Sequence, residues 1–370
     1  MTVSRRTVLG LCTALVPTVA TREPSRREAP DMDGLDRGAP DRDHPSSREG
    51  RRPRLRGGTM YLGTYGDGVG IATYDAEGRI TQTGTIAGVP DPSFVIRDGN
   101  FLYAVNEQDA GAVTSIDVSS MPRVLNRQPT KGSGPCHLVR AGDYLLSANY
   151  GSGDIAVHPV NPDGSLGQQT DLVEHEGSEP HAHQVVTVGE YVLAVDLGTD
   201  SIYTYTLTAG KLTLQHQAKL KTGAGPRHLA FHPSGEFAYV ADELDSTVTI
   251  CGYADGVLTP LSTQPTAPTG SKNYPGEVLV SADGRFVYMT NRGHNSVAIF
   301  RTDGATLERV GTPSCGGDWP RHAAFDPTGE LLFVANQKSD NVTTFLVDRT
   351  EGTLTRASDF STQSPVCVNV

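Results

Sequence analysis

The stretch Ala238-Tyr-Val-Ala-Asp242 decides the fold, because variants of it recur along most of the chain. In each copy an apolar strand ends on Asn or Asp, and a polar stretch and a second alternating strand follow. The other copies are Met60-Tyr-Leu-Gly-Thr64 (with Thr as its polar marker), Leu102-Tyr-Ala-Val-Asn106, Leu145-Leu-Ser-Ala-Asn149, Val192-Leu-Ala-Val-Asp196, Val287-Tyr-Met-Thr-Asn291 and Leu332-Phe-Val-Ala-Asn336. Successive markers are 42, 43, 47, 46, 49 and 45 residues apart. Four short strands and their turns fill such a period, so the repeat predicts an all-β fold, a seven-bladed β-propeller.

The two ends of this repeat array are incomplete in complementary ways. Pro365-Val-Cys-Val-Asn-Val370 resembles the first strand of a repeat, as in Pro226-Arg-His-Leu-Ala-Phe231, and no second strand follows it. The first copy begins directly on a second-strand pattern at Met60. We therefore expect the C-terminal strand to join the N-terminal blade and close the ring, which removes exposed sheet edges.

The first 58 residues have a different character. Ser4-Arg5-Arg6-Thr7-Val8-Leu9 resembles a twin-arginine export signal, and residues 18–20 supply a small-residue cleavage site. The apolar run over residues 8–20 is too short and too interrupted to span a bilayer. Residues 21–58 are highly charged and poor in large apolar side chains, which predicts a disordered linker. We expect a signal peptide (1–20), this linker (21–58) and a propeller (59–370), exported by the twin-arginine machinery as a secreted or extracytoplasmic monomer. The alternative is a basic N-terminus that arose by chance.

Charge is unevenly distributed along the chain. Residues 1–58 hold 12 Lys and Arg against 8 Asp and Glu, which leaves 19 against 34 for residues 59–370. A domain this acidic repels phosphate backbones, so nucleic-acid binding is not expected.

The cysteines do not indicate a metal site. Cys12 lies in the predicted signal, and Cys136, Cys251, Cys315 and Cys367 are far apart without Cys-x-x-Cys spacing. We favour buried small hydrophobic side chains over a disulfide. No cofactor or metal is expected. The alternative is a divalent ion held by three carboxylates if the axis gathers them, and they would be Glu107, Glu243 and Glu277.

Two kinds of position should meet at one end of the central channel. In an antiparallel hairpin the start of the first strand lies beside the end of the second. The strand-one starts are Ser93, His137, His183, His228, Glu277, His322 and Cys367, and the residues after the markers are Glu107, Tyr150, Leu197, Glu243, Arg292 and Gln337. Arg227 and Arg321, each in a Pro-Arg-His triplet, add cations. Basic groups converging in an acidic domain favour an anionic small-molecule ligand. Alternatively, the histidines are structural and bond a neighbouring blade's backbone.

Several motifs resemble one known family. They are Tyr61-Leu-Gly-Thr-Tyr65, Leu102-Tyr-Ala-Val-Asn-Glu107, Ala148-Asn-Tyr-Gly-Ser-Gly153, Pro180-His-Ala-His183, Asp196-Leu-Gly-Thr-Asp200, Pro226-Arg-His-Leu-Ala-Phe-His-Pro233, Asn291-Arg-Gly-His294 and Pro320-Arg-His322. With them the chain resembles, over residues 60–370, the seven-bladed lactonase family. That family includes the propeller-type 6-phosphogluconolactonase and the fungal carboxymuconate-lactonising enzyme.

The resemblance implies a rim site built from a histidine, a glutamate and arginines. By motif these are His183 or His181, Arg227, Glu243 and Arg292. Glu243 follows Arg227 by sixteen residues, about one hairpin, so we expect an ion pair between them.

The expected reaction is lactone hydrolysis, with roles given by chemistry. Either His183 or Glu243 removes a proton from the attacking water, and Arg227 stabilises the oxyanion. The remaining site residues bind the substrate, and they are Arg292, Arg321, His137, His181, His228, His322 and Glu107.

Two features do not fit a phosphosugar lactone as the substrate. Cys136 stands where two other blades carry Arg, so one possible anion contact is missing. Export also fits poorly with a cytoplasmic phosphosugar, which favours an unphosphorylated sugar lactone or an aromatic-derived one. The alternative functions are a non-catalytic propeller that binds a ligand or protein, and a muconate-type lactonising cycloisomerase.

Overall fold

Seven four-stranded antiparallel sheets, one for each sequence repeat, make up residues 57–370, which are the part of the chain that the computed structural model describes. The predicted signal peptide, nearly all of the predicted linker and Cys12 lie outside these residues. Within residues 57–370 no helix is long and apolar enough to cross a membrane.

The blades follow one another along the chain, and each is numbered after its repeat. Blade 1 contains β1 (Gly58–Thr64), β2 (Asp67–Tyr74) and β3 (Ile80–Pro90). Blade 2 contains β4 (Val95–Asp98), β5 (Phe101–Asn106), β6 (Ala112–Asp117) and β7 (Arg123–Pro129). Blade 3 contains β8 (Pro135–Ala141), β9 (Tyr144–Asn149), β10 (Asp154–Pro159) and β11 (Asp171–Glu174). Blade 4 contains β12 (Ala182–Val188), β13 (Tyr191–Asp196), β14 (Ser201–Thr208) and β15 (Lys211–Lys219).

The remaining blades repeat this order. Blade 5 contains β16 (Pro226–Phe231), β17 (Phe237–Asp242), β18 (Thr247–Ala254) and β19 (Val257–Pro265). Blade 6 contains β20 (Tyr274–Val280), β21 (Phe286–Arg292), β22 (Ser296–Thr302) and β23 (Leu307–Gly311). Blade 7 contains β24 (Pro320–Phe325), β25 (Leu331–Asn336), the short 3-10 helix Gln337–Ser339, β26 (Asn341–Val347) and β27 (Leu354–Ser361).

The last strand closes the ring as predicted. β28 (Pro365–Asn369) pairs antiparallel with β1, with Val368 opposite Leu62 and Cys367 opposite Gly63. Blade 1 therefore has the order β28-β1-β2-β3 and takes its first strand from the C-terminus.

Apolar side chains between neighbouring blades form the core. Between blades 1 and 7, for example, Met60, Leu62 and Tyr74 pack with Leu331 and Phe333, all fully or nearly fully buried. The Tyr74 and Phe333 rings meet edge to face with centroids 5.0 Å apart. Equivalent clusters lie between the other blades, so each sheet depends on both neighbours for burial.

The Asn or Asp marker of each repeat has a structural role. In blades 2, 4, 6 and 7 the marker side chain bonds the chain segment that enters its own blade from the previous one. Asn106 Nδ2 donates to Pro90 O at 2.8 Å, and Asn291 Nδ2 donates to Thr266 O at 2.9 Å. Because these groups are buried, each bond satisfies a backbone carbonyl that water cannot reach.

Asp242 is a marker with a different balance of partners. Its Oδ2 accepts hydrogen bonds from the Thr247 and Thr249 hydroxyls at 2.8 and 2.7 Å. Its Oδ1 is buried and has no hydrogen-bond partner within residues 57–370. Burial raises the pKa of Asp242 to about 7, above the usual range for an aspartate. The folded protein therefore binds this proton more tightly than the unfolded chain does.

We expect Asp242→Asn to raise the melting temperature at pH 8 by at least ~2 °C. The folded-state pKa lies above the ordinary value, so wild-type stability falls as pH rises from about 4 to about 7, by up to ~1.4 kcal/mol per pH unit. Asparagine stays neutral and is already the marker of four other blades. Melting curves at pH 5 and 8 measure the gain, which is predicted to be larger at pH 8.

Asp196→Asn is the matched control, because the hydrogen bonds of this marker stabilise its ionised carboxylate. Its oxygens accept the His175 ring at 2.6 Å and the backbone N–H groups of His181 and Thr199 at 3.0 and 2.8 Å. Although burial raises the pKa of Asp196, these hydrogen bonds bring it below the usual range. The control should lose stability at pH 8, and a loss in both variants would contradict the account of Asp242.

Candidate active site

In four blades, one residue near the start of the first strand has no pairing partner on the second strand. Three of these residues are polar residues of the site. In blades 3, 4, 5 and 7 the register between the first two strands skips one residue. A bulge of this kind re-aims a side chain and often borders a functional site. The skipped residues, called the bulge residues below, are Cys136, His183, Arg227 and Arg321.

The predicted alignment of His183 with His137, His228 and His322 is wrong. His183 is a bulge residue, equivalent to Arg227, and Gln184 occupies the position of His228. In blades 3, 5 and 7 a proline pairs with the marker, and the bulge residue follows that proline. In blade 4 Ala182 pairs with the marker instead, so the bulge residue is His183. Ser93 is displaced in the same way, since Phe94 is the residue that bonds back to Val105.

Two arginines hold the carboxylate of Glu243. Arg292 Nη2 donates to Glu243 Oε2 at 2.6 Å, and Arg227 Nε lies 3.4 Å from the same oxygen. The predicted pairing of Arg227 with Glu243 is confirmed. Glu243 Oε1 accepts no hydrogen bond within residues 57–370, so it remains available to a ligand.

Backbone carbonyls fix both arginines. Arg292 Nε donates to Tyr274 O at 3.1 Å and its Nη2 to Pro275 O at 2.9 Å, so its donors are largely used within the fold. Arg227 Nη1 donates to Gly276 O at 2.9 Å. Arg227 is 2% exposed, and burial, reinforced by the neighbouring arginines, lowers its pKa to about 9. A cation held in so dry a place acts strongly on any charge that develops beside it.

Arg321 makes fewer hydrogen bonds within the fold than Arg227 and Arg292. Its guanidinium lies 5.6 Å from the centroid of the Tyr65 ring and 3.9 Å from Glu107 Oε2. It makes no hydrogen bond to any of residues 57–370. Tyr65 Oη donates to Glu107 Oε1 at 2.9 Å, and Glu107 Oε2 is buried and accepts no hydrogen bond from residues 57–370. This corner therefore presents a donor and an acceptor side by side.

His183, a bulge residue of blade 4, is 5% exposed. Its ring packs edge-on against Tyr150 and His228, with centroids 5.6 and 5.1 Å away. Burial, with the charge of Arg227, lowers the pKa of His183 well below its usual value, so the ring is neutral at pH 7. His181 stacks on Tyr150 at 4.5 Å and bonds the Tyr150 carbonyl through Nδ1 at 2.9 Å. His181 therefore supports Tyr150.

Three of the predicted rim histidines, His137, His228 and His322, each follow a bulge residue directly, and with Glu277 they are called the floor residues below. Glu277 accepts His228 Nδ1 at 3.1 Å and lies 3.3 Å from His322 Nε2. The His137 ring packs against Phe94 with centroids 4.1 Å apart and planes inclined at 33°. Burial lowers the pKa of His322 to about 4 and those of His228 and His137 well below the usual value.

The structural alternative for the histidines holds for His322 and also for His181, which bonds the Tyr150 carbonyl of blade 3. His322 Nδ1 accepts the backbone N–H of Val368 at 3.3 Å, which ties blade 7 to the closing strand β28. The floor is thus a packed layer of neutral imidazoles around one buried carboxyl group.

Two aromatic residues of the site, Tyr65 and Trp319, were not predicted from the sequence. Tyr65 follows the marker of blade 1, so the rule that selected Glu107 would also have found it. Trp319 precedes β24 and lies under two cations, with the Arg292 guanidinium 5.7 Å and Lys338 Nζ 3.2 Å from its ring centroid. No repeat position marks it.

The three carboxylates considered for a divalent ion make separate contacts. Glu107 lies with Arg321, Glu243 with Arg227 and Arg292, and Glu277 with floor histidines. Across the described range, no group of three or more His, Cys, Asp or Glu side chains is arranged to hold a metal ion. The four cysteines of this range are unpaired and buried.

Comparison with known proteins agrees with this architecture. The family described as "Lactonase, 7-bladed beta-propeller" matches residues 59–370. The 6-phosphogluconolactonase of Bacillus subtilis is 35% identical over 340 residues, covering 83% of this chain and 97% of its own. Among solved structures, the periplasmic gluconolactonase of Pseudomonas aeruginosa is 29% identical with a TM-score of 0.79, covering 84% of this chain and 98% of its own. A Bacteroides fragilis protein provisionally assigned as a 6-phosphogluconolactonase is 32% identical with a TM-score of 0.79, covering 88% and 99%. The chain belongs to the seven-bladed β-propeller lactonase family.

Proposed function

We propose that this protein hydrolyses a sugar-type lactone to its acid. The observation that carries the proposal is the Glu243 carboxylate held between Arg227 and Arg292, together with a neutral His183 on whose pKa the charge of Arg227 acts. A neutral base and a dry cation next to each other are what attack of water on an ester carbonyl requires.

In the proposed reaction His183 is the base. It takes a proton from water as the water oxygen bonds to the lactone carbonyl carbon. Arg227 stabilises the oxyanion of the tetrahedral intermediate, as a fixed cation in a low-dielectric site does. The intermediate collapses by breaking the bond between the carbonyl carbon and the ring oxygen, and the imidazolium returns its proton to that oxygen. Because its pKa is low, the His183 imidazolium is a ready donor.

Glu243 would orient the water and balance the charge on His183. Its Oε1 accepts no hydrogen bond from residues 57–370, while its Oε2 is fixed by arginine. Arg292 would act by holding Glu243, since its other bonds go to backbone carbonyls. Glu243 as the base is the competing assignment within the same reaction.

The substrate's hydroxyl groups would meet the corner formed by Arg321, Glu107 and Tyr65. A substrate hydroxyl can accept from the Arg321 guanidinium, which makes no hydrogen bond to residues 57–370. A phosphate placed there would meet the Glu107 carboxylate and lose part of the benefit of Arg321. We therefore put unphosphorylated sugar δ-lactones first. The names of the relatives, a gluconolactonase and a 6-phosphogluconolactonase, fit this class.

The test is a substrate panel with the purified protein. Acid release from δ-gluconolactone, its 6-phosphate and a muconolactone is followed with a pH indicator against the spontaneous rate. The proposal expects the fastest turnover with δ-gluconolactone. Turnover of the muconolactone alone would favour the cycloisomerase, and binding without any turnover would favour a non-catalytic propeller.

We also propose export through the twin-arginine machinery, supported by the paired arginines at positions 5 and 6. Replacing both by lysine keeps the charge but removes the signal's defining pair, so the precursor should accumulate in the cytoplasm. Immunoblots of cell fractions measure this, with Arg22→Lys in the linker as the control. Unchanged export of the double variant would contradict the proposal.

A further inference from the structure

A buried carboxylate sets the proton position on one floor histidine. Glu277 accepts His228 Nδ1, which lies 3.1 Å from each of its oxygens. Burial raises the pKa of Glu277, while the charge of Arg227, the contact with His322 and the Val278 N–H act against that rise. In its ionised form the carboxylate can only accept, so Nδ1 of His228 then carries the hydrogen and Nε2 carries the lone pair. His228 Nε2 is sealed from solvent and has no hydrogen-bond partner within the described part of the chain.

The other contacts of Glu277 are consistent with an ionised carboxylate. Val368 N–H donates to His322 Nδ1, so the hydrogen of that ring is on Nε2, 3.3 Å from Glu277 Oε2. The Val278 N–H donates to Oε1 at 3.2 Å. Both rings are therefore neutral, and His228 Nε2 is left without a partner among residues 57–370. Hydrogen bonds from His228 and Val278 and the nearby His322 N–H favour the ionised form of Glu277.

His183 lies next in line. Its ring centroid is 5.1 Å from that of His228, and the two planes are inclined at 66°. His183 Nδ1, like His228 Nε2, is sealed and unpartnered among residues 57–370, whereas its Nε2 remains toward the channel. A buried polar nitrogen without a partner costs about 1–3 kcal/mol. As the rings lie, the two nitrogens are not hydrogen-bonded to each other. Both costs vanish if a small rotation of the rings lets His183, with its hydrogen on Nδ1, donate to His228 Nε2.

We propose that Glu277 and His228 are positioning residues that fix the tautomer of His183. The carboxylate orients His228, and the His228 lone pair holds the hydrogen of His183 on Nδ1. The Nε2 lone pair of His183 then faces the channel, where a base needs it. The catalytic meaning rests on the proposed function, but the tautomer does not.

We expect the fold to tolerate the substitutions that test this inference. His228 and Glu277 occupy the same blade position as Phe94 and Gln184 in other blades. His228→Phe removes the acceptor of His183 while keeping a ring, and Glu277→Gln removes the charge while keeping the shape. His322→Gln is the matched control, because it also alters a contact of Glu277 but leaves the link through His228 intact.

The experiment is nitrogen NMR of the histidine rings in the full-length protein, labelled with ¹⁵N-histidine. Signals are assigned through single His→Gln variants. We expect His183 to carry its hydrogen on Nδ1 in the wild type and in His322→Gln, and mainly on Nε2 in His228→Phe. Glu277→Gln should shift it in the same direction. In δ-gluconolactone hydrolysis, Glu277→Gln should lower kcat about 10–100-fold, as loss of an orienting partner does, with KM changed less than about threefold.

Three results would overturn the inference. The first is an Nε2-protonated His183 in the wild type, and the second is an unchanged tautomer in His228→Phe. The third is a change confined to His137, whose Nδ1 is also sealed and whose ring is 5.3 Å from His228. If the tautomers change as expected but no form hydrolyses a lactone, the inference holds and the proposed function fails.

Discussion

Deleting residues 365–370 should abolish cooperative folding of the whole ring at 37 °C rather than fray one end. The deletion removes β28, and with it four paired positions on β1 and the buried side chains of Val366, Cys367 and Val368. Burying one such valine contributes about 1.5–3 kcal/mol. The loss also exposes the edge of β1 and the apolar cluster between blades 1 and 7. The expected destabilisation of at least ~5 kcal/mol is comparable to the total stability of many domains.

Thermal unfolding followed by circular dichroism measures this effect. Deleting Val370 alone is the matched control, because Val370 follows the last strand and is partly exposed. The control should melt within a few degrees of the wild type, at a cost of about 1 kcal/mol or less. A six-residue truncation that melted at the wild-type temperature would show that the closing strand contributes little.

Arg227→Met should lower kcat for lactone hydrolysis about 10²–10³-fold, the usual cost of losing an oxyanion stabiliser. Methionine keeps much of the buried volume, so packing is largely preserved. The substitution also relieves repulsion, since Arg292 and Arg321 both lower the pKa of the buried Arg227. We therefore expect stability to change by less than ~2 kcal/mol while activity is lost.

Steady-state kinetics and melting curves of the same preparation separate the two effects. Arg285→Met, an exposed arginine of the loop before β21, is the control and should keep wild-type kcat. If Arg227→Met kept wild-type kcat, the oxyanion would have another partner. If it failed to fold, the charge of Arg227 would be structural instead.

The sequence predicted the ring and its closure because both depend on local patterns. The marker residues and the unmatched strand at Pro365 are visible without any tertiary contact. The pairing of Arg227 with Glu243 was predictable for the same reason, since one hairpin separates them. In a hairpin, two residues at a suitable separation in the sequence lie side by side on the paired strands.

Which site residues are bulge residues and which are floor residues could not be predicted from the sequence. Whether a histidine is a bulge residue or a floor residue depends on a single-residue shift in register, as His183 and His228 show. The partners of Arg292 include backbone carbonyls that no sequence pattern marks. The Glu277 contacts join three blades, because His228, His322 and Glu277 come from three different sheets. Only the closed ring brings these groups together.

The most direct test of lactone hydrolysis at this site compares wild type, His183→Gln and Glu243→Gln on δ-gluconolactone. Initial rates of acid release are measured above the spontaneous rate, with His216→Gln on the outer strand β15 of blade 4 as control. We predict turnover by the wild type and the control, and a loss of at least ~100-fold in kcat for His183→Gln, as expected for a general base. Wild-type rates in both His183→Gln and Glu243→Gln would contradict the account.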